Sequence, residues 1–403
     1  MRLFIFSSVL ALLGALGFYV HRRARRVFNL RQASSIGVGL LLFAGPVTLL
    51  AGKLRLVEAS DTVVRNLALL GSSLTLGAIF AAFFLMHVDG ARLVHRVIRR
   101  FRPPPSAPDK AAEAQVQEEA PEPVSDAALI GRREVLVSGA ALVAGPSFGT
   151  YASLLGRHDY DVSEVVLRVP GWPRALEGFS IVQLSDIHIG AFVGDFELNR
   201  GAELAGAARP DLIVLTGDLL DHDAHFAQRL GEWTTELGPL ARHGVAAIPG
   251  NHDYYAGIDP VLRALRRSGA KTLRNNGLVI GEPGASFALL GVDDLWASGD
   301  AGPNLDAALA EVPPDLARIL LCHQPEFFYE NAGNVQLQLS GHTHGGQVAL
   351  GYNPASLVMP HGYVRGHYEK DGGQLYVNRG FGTAGPPARL GSQPEITKLI
   401  LTG

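Results

Sequence analysis

The 403-residue sequence predicts an all-α membrane region followed by an α/β domain in which a sheet is layered with helices. Three observations carry this. Four stretches in the first 156 residues (3–20, 32–52, 66–88 and 135–156) contain no Asp, Glu, Lys or Arg. The charge balance reverses at the same place: residues 1–156 hold 17 Lys and Arg against 10 Asp and Glu, the remainder 18 against 28. Beyond residue 178, short runs rich in Val, Ile and Leu alternate with helical patterns.

Each of the four stretches is close to the ~20 apolar residues a bilayer-spanning helix needs. Buried core helices normally keep a polar stripe, which these mostly lack. The first stretch has only Arg2 ahead of it and no small-x-small cleavage site before the His21–Arg26 cluster, so it reads as a retained helix rather than a signal peptide. Arginines crowd the loop after the first stretch (Arg22, Arg23, Arg25, Arg26, Arg31) and the loop after the third (Arg92, Arg96, Arg99, Arg100, Arg102). The loop after the second offers only Lys53, Arg55 and Arg65. Positive loops stay in the cytoplasm. The expectation is a multi-pass protein of the cell (inner) membrane, with an external amino terminus and everything after about residue 157 on the extracytoplasmic side.

Residues 1–101 are thus expected to supply three transmembrane helices. Residues 102–130 form a linker with Pro103, Pro104, Pro105, Pro108, Pro121 and Pro123 among Glu and Ala, too polar to bury a core and expected to be disordered. Residues 131–157 are a fourth helix. Arg132-Arg133 ahead of its apolar run resembles a twin-arginine export signal, and a plain cytoplasmic anchor reads equally well. Residues 158–403 form the α/β domain. Its acidic balance opposes a phosphate-backbone binding surface, so no nucleic-acid partner is expected. Cys322 is the sole cysteine, which excludes an internal disulfide and a Cys-rich zinc site; it reads as a small core residue.

Strands are expected at 179–184, 212–216, 245–248, 287–291, 319–322, 335–339, 375–378 and 396–401, and helices at about 196–208, 224–238, 259–268 and 304–310. Five of these strands run directly into polar, metal-ligating residue types: "SDIH" (185–188), "GDLLD" (217–221), "PGNHD" (249–253), His323 and "SGHTH" (340–344). In open α/β sheets the ligand crevice lies outside the carboxyl ends of the strands. Asp186, His188, Asp218, Asn251, His323, His342 and His344 should therefore converge. Carboxylate with imidazole suits Zn²⁺, Mn²⁺ or Fe. Seven donors exceed the needs of one tetrahedral ion but serve two divalent ions (Mn, Zn, Fe or Mg) sharing a carboxylate, and Asp218 sits centrally in the series. Two ions about 3.5–4 Å apart clamp both oxygens of an in-line displacement and lower the pKa of bound water to about 7. A phosphate ester also needs its leaving oxygen protonated; His252 is the candidate general acid, with Asp221 placed to hold it charged. His222, His225, His243, His361 and His367 read as surface or supporting histidines, and Asp293-Asp294 as a turn.

Together the elements "DIH", "GDLLD", "GNHD", "CHQP" and "GHTH" resemble the calcineurin-like metallophosphoesterase family over roughly residues 178–403. "GHTHGGQ" and "NRGFGTAGPPARLGSQPEI" further resemble its YkuE- and YaeI-like, membrane-associated phosphodiesterase branch. The resemblance implies an α/β fold of four layers, an α-β-β-α sandwich, here preceded by the all-α transmembrane region. It implies that Asp186, His188, Asp218 and His344 hold one ion and Asp218, Asn251, His323 and His342 the other, with His252 as acid and Asp221 orienting it. The expected activity is hydrolysis of a phosphodiester or pyrophosphate bond. The fourth helix ends about 20 residues before the stretch that resembles the family begins, which favours a lipid-linked phosphoester as substrate. The rival is a metal-binding membrane sensor or scaffold without turnover. A transporter is disfavoured because the spans hold no Asp, Glu, Lys or Arg.

Overall fold

The computed structural model describes residues 2–53, 61–101, 131–297, 302–349 and 353–403, with the side chains of 2–7, 52, 53 and 61 excepted. The linker expected at 102–130 lies outside the described residues. The chain divides into two units, Met1–Ala51 with Leu70–Tyr151, and Gly52–Leu69 with Ala152–Gly403.

The first unit is helical, drawn from α1 (Arg2–Val27), α2 (Gln32–Lys53), α3 (Asp61–Phe101) and α4 (Arg132–Leu154). Among the described residues three helical segments are long and apolar enough to cross a membrane: Gln32–Ala51, Thr62–Phe101 and Arg132–His158. The stretch expected at 3–20 falls within α1, whose first side chains lie outside the described residues. Backbones approach closely where side chains are absent: a Cβ on Gly149 of α4 would stand 2.4 Å from the Gly77 nitrogen of α3. The absence of side chains at both positions is what allows this contact. Ion pairs join three helices, with Arg23 bonded to Asp89 and, at 2.9 Å, to Glu134, and Arg92 3.3 Å from Glu134.

The second unit holds two six-stranded sheets. The first runs β1 (Asp161–Arg168), β12 (Glu395–Thr402), β2 (Phe179–Leu184), β3 (Leu212–Thr216), β4 (Val245–Ile248) and β5 (Lys271–Thr272). The second runs β10 (Gly366–Lys370), β11 (Gly373–Val377), β9 (Leu337–Ser340), β8 (Arg318–Leu321), β7 (Ala285–Gly291) and β6 (Asn276–Glu282). The central strands β2, β3 and β4 are parallel, as are β7, β8, β9 and β11.

Alternation along each central strand assigns its two faces. Ile181, Leu212, Val214 and Ile248 of the first sheet pack against Phe287, Leu289, Ile319, Leu321, Leu337 and Leu339 of the second, which closes an apolar layer between the sheets. The opposite residues Val182, Leu184, Ile213 and Leu215 face Leu198 of α5 (Asp195–Ala207), Leu230 and Trp233 of α6 (Ala227–Leu237) and Val261 and Leu265 of α8 (Ile258–Arg267). On the far side Ala288, Leu290, Leu320 and Cys322 cover Leu305 and Ala308 of α9 (Leu305–Ala310). The architecture is the helix-sheet-sheet-helix sandwich that the resemblance implied, with Cys322 in its core.

Candidate metal centre

The five strand ends that carried the sequence signal meet at one edge of the sandwich. Past β2 and β3 the chains stay paired, with His188 N donating to the Asp218 carbonyl (3.0 Å) and Ile189 N to the Leu219 carbonyl (2.9 Å). His342 N, beyond β9, donates to both Asp186 carboxylate oxygens (3.0 Å each), which ties the second sheet to the first. Asp186, His188, Asp218, His342 and His344 all adopt φ between 50° and 71°. Such left-handed residues outside glycine are uncommon, and their clustering marks sites where folding holds side chains in a required direction.

Two glycines make room for the carboxylates. A Cβ on Gly341 would stand 2.2 Å from Asp186 Oδ2, and one on Gly250 would stand 2.4 Å from Asp218 Oδ1.

Six of the predicted donors fall into two groups, and two further groups bring in His252, one with His188 and Asp218 and one with Asp221 and His222. In the first, His188 Nε2 and His344 Nε2 face each other at 3.1 Å, with Asp186 Oδ1 3.4 Å from the latter. In the second, Asp218, His323 and His342 bring one ligand atom each within 4.8 Å of one another. Asp218 Oδ2 lies between the groups, 3.2 Å from His323 Nε2 and 3.7 Å from His188 Nε2. His323 is turned to it because its Nδ1 donates to the Thr216 carbonyl (2.8 Å). Asn251 opens α7 (Asn251–Ala256) between Gly250 and His252, both of which touch Asp218.

The donor set fits metal ions. Asn251 Oδ1 and His342 Nδ1 are buried without a hydrogen-bond partner. Leaving such atoms unpaired costs about 1–3 kcal/mol each, which an ion would offset. Charge follows the same logic. Burial opposes ionisation of Asp218, but the neighbouring imidazoles of His323 and His188 overcome it and hold the carboxyl well below its usual range. Burial, reinforced by His323, pushes His342 down to about 3. Burial, with the Arg389 guanidinium, likewise depresses His344. Both rings thus keep free lone pairs at neutral pH.

The calcineurin-like phosphoesterase family pattern matches residues 179–346, which contain all seven donors together with Asp221 and His252. The uncharacterized metallophosphoesterase YkuE of Bacillus subtilis (strain 168) is 32% identical over 271 residues, which are 66% of this chain and 93% of YkuE. This chain is a calcineurin-like phosphoesterase. The family consists of metal-dependent phosphoester hydrolases. An uncharacterized metallophosphoesterase of Aquifex aeolicus (strain VF5) is 31% identical over 60% of this chain and 92% of its own length. A bovine transmembrane protein with metallophosphoesterase domain is 33% identical over 60% of this chain, which spans only 56% of that relative.

In this phosphoesterase His252 stands against the first group, its ring 4.6 Å from that of His188. Its Nδ1 donates to the Asp221 backbone carbonyl (2.8 Å), while the nearest Asp221 carboxylate oxygen lies 3.5 Å away. Main chain and carboxylate of Asp221 both face this nitrogen of His252. Burial would lower the His252 pKa, but the Asp221 and Asp218 carboxylates outweigh it and raise the ring above its ordinary value. His222 stacks on His252 at 4.5 Å, a supporting place as the sequence reading had it.

Asp253 was not among the predicted site residues, although "GNHD" displays it. Fully buried, its carboxylate accepts from Gly250 N (2.8 Å), Leu219 N (3.0 Å) and Leu220 N (2.9 Å), and so clamps the loop after β3 to the loop after β4. Burial and then Asp218 push its pKa up to about 6. Asp294 does form a turn, accepting from Trp296 N (2.7 Å), yet it is buried and also holds Gln324, the neighbour of His323, at 2.6 Å. Trp296 projects from that turn, half exposed, with its ring edge-on to His342 at 4.9 Å.

Proposed function

We propose that this phosphoesterase is a membrane-anchored dinuclear enzyme that cleaves a phosphodiester or pyrophosphate bond on the extracytoplasmic side. The observation that carries the dinuclear reading is the position of Asp218 Oδ2 between His188 and His323. Asp186, His188, Asp218 and His344 hold one ion, and Asp218, Asn251, His323 and His342 the other. When bound, two divalent ions supply Lewis acidity and a water of lowered pKa. The protein's part is to present the donors deprotonated and to manage the leaving group's proton. The bond from His252 Nδ1 to the Asp221 carbonyl leaves Nε2 as the atom that donates a proton to the departing oxygen.

Two features support an amphiphilic, lipid-linked substrate. Aromatic rings of Trp296 and Tyr255 flank His342 and His252 while remaining about half exposed (53% each). The loop after His344 is tied back by Asn353 Nδ2 to the Gly345 carbonyl (2.8 Å), and it displays Leu357 and Val358 to solvent (76% and 77% exposed). The ion cluster of Arg23, Asp89, Arg92 and Glu134 is consistent with the loop-charge orientation, which puts all four of these positions on one side, the cytoplasmic one.

The test uses the full chain in lipid nanodiscs loaded with Mn²⁺, Zn²⁺ or Mg²⁺. Two ions per chain and metal-dependent hydrolysis of bis-p-nitrophenyl phosphate are expected, with faster turnover of a long-chain alkyl phosphodiester than of a short soluble one. Two bound ions with no turnover of any ester would favour the sensor or scaffold. Equal rates on both alkyl esters would remove the lipid-linked part alone.

A further inference from the structure

Arg389 lies beyond the residues that the family pattern matches, yet it is buried (1% exposed) against the metal centre. Among the described residues no carboxylate lies within ion-pair distance of it. Its five N–H groups are all taken by backbone carbonyls: Nε by Gly382 (3.1 Å), Nη1 by His344 (2.9 Å) and Arg379 (2.7 Å), and Nη2 by Gly380 (3.0 Å) and Gly382 (2.6 Å). Nη2 also stands 3.1 Å from His344 Nδ1. A buried guanidinium satisfied only by main-chain dipoles is costly, and an apolar side chain would fill the space at less expense.

The carbonyls it joins give it a purpose. His344 is a candidate ligand. Residues 380–382 lie along another, because Phe381 N donates to the Ser185 carbonyl and Gly382 N to the Asp186 carbonyl (2.8 Å each). Gly380, at φ +76°, has no side chain because a Cβ there would stand 2.8 Å from Asp186 Cβ and 3.2 Å from Arg389 Nη2. Arg389 thus cross-links the segment that backs Asp186 to the loop that carries His344. It makes no hydrogen bond to Asp218, Asn251, His323 or His342.

We propose that Arg389 is a positioning residue for one ion only, the one assigned to Asp186, His188 and His344, and that it sets that ion's affinity. This rests on the dinuclear reading above. Lysine cannot replace it, because a single ammonium carries three donors on a point charge and cannot span four carbonyls in a plane.

The experiment measures Mn²⁺ and Zn²⁺ binding to the purified full chain by competition with a chromogenic chelator, for wild type, Arg389→Met, Arg389→Lys and, as a control at the other group, His342→Ala. Wild type is expected to hold two ions. Arg389→Met should weaken one of them by roughly 10–100-fold, the range for residues that orient a metal ligand, and leave the other unchanged. That retained ion also reports an intact fold. Arg389→Lys should weaken the same ion, and combining Arg389→Met with His342→Ala should leave no tight ion. Two ions at wild-type affinity in Arg389→Met overturn the proposal. Should that variant not fold, unchanged affinities in Arg389→Lys overturn it. Wild type holding fewer than two ions defeats the dinuclear reading itself, a separate result.

Discussion

The two sheets deliver different chemistry to the same edge. Strand ends of the first sheet carry the oxygen donors Asp186, Asp218 and Asn251, together with His188 and the candidate acid His252. Those of the second carry His323, His342 and His344, imidazoles only. The group of Asp186, His188 and His344 and the group of Asp218, His323 and His342 each draw on both sheets, whereas the two groups that include His252 lie on the first sheet alone. The two donor sets without His252 therefore need both sheets, and the apolar layer between them sets the spacing of their donors. The charges are shared in the same way: Asp218 of the first sheet stays ionised in a buried setting largely through His323 of the second.

The strongest way to break this arrangement is at Asp218, the carboxylate that faces both groups. Asp218→Asn keeps the shape and removes the charge. Loss of both ions is expected, measured as metal content after desalting, with kcat/KM on bis-p-nitrophenyl phosphate lower by at least roughly a thousandfold, since the ions contribute several kcal/mol to the transition state. A variant that keeps two ions and turns over within tenfold of wild type would show that the groups do not share this residue.

A smaller effect should separate acid from metal. His252, in the first turn of α7, belongs to neither proposed ligand set, so His252→Ala should leave both ions bound. Hydrolysis of an alkyl phosphodiester should fall by about 10²–10⁴-fold, and hydrolysis of the p-nitrophenyl diester by much less, because nitrophenolate leaves without a proton. The acid acts in its protonated form and its pKa is raised. Wild-type kcat/KM on the alkyl ester should therefore show a decline on the alkaline side as His252 gives up its proton, opposite the acid-side fall set by the metal-bound water and the imidazole ligands. The decline should be missing in the variant, and equal losses on both esters would argue against the acid role.

The contrast between the sheets also explains what was legible in the sequence. Eight strands were anticipated, and the four that were not (β1, β5, β6 and β10) are the four edges of the two sheets. A strand buried on both faces reads as a continuous apolar run, as "LIVLT" does in β3. Edge strands such as "GHYEK" in β10 are half solvated and have no such signature. The donors were visible because each comes directly after a legible strand, so topology alone gathers them. Asp253 was visible as a letter but not as a clamp, since besides Gly250 N its partners are backbone N–H groups 33 and 34 residues away. Arg389 lay within the tail "NRGFGTAGPPARLGSQPEI" that carried the family resemblance, but nothing in that stretch marked it as a support for the metal centre. Its partners are main-chain carbonyls, which any sequence supplies, and only the folded tail shows why they need a guanidinium.

The first sheet can be probed further out, where the chemistry is absent. Glu197, on α5 in the helix layer covering that sheet, is buried, and Oε1 accepts from Arg65 (2.6 Å), His158 (3.0 Å) and Arg157 (3.1 Å) while Oε2 accepts from Gly194 N (3.0 Å). Burial opposes its ionisation, but these hydrogen bonds and cations prevail and bring its pKa down to about 2 from an ordinary 4.5. A carboxyl lowered on folding stabilises the protein above its unfolded pKa and loses that contribution as pH falls through the folded value. Glu197→Gln leaves Arg157 buried without its counter-charge, which costs a few kcal/mol, and because burying the guanidinium is itself unfavourable the net loss should be about 2 kcal/mol. Thermal unfolding should show the variant less stable at pH 7. The gap to wild type should narrow as pH drops below about 4.5, toward the value near 2 where Glu197 itself takes up its proton. Metal content and kcat should not change, because no bond from Glu197 reaches a strand-end donor. A variant as stable as wild type at neutral pH, or one that sheds an ion, would mean that the helix layer and the metal edge are not separable.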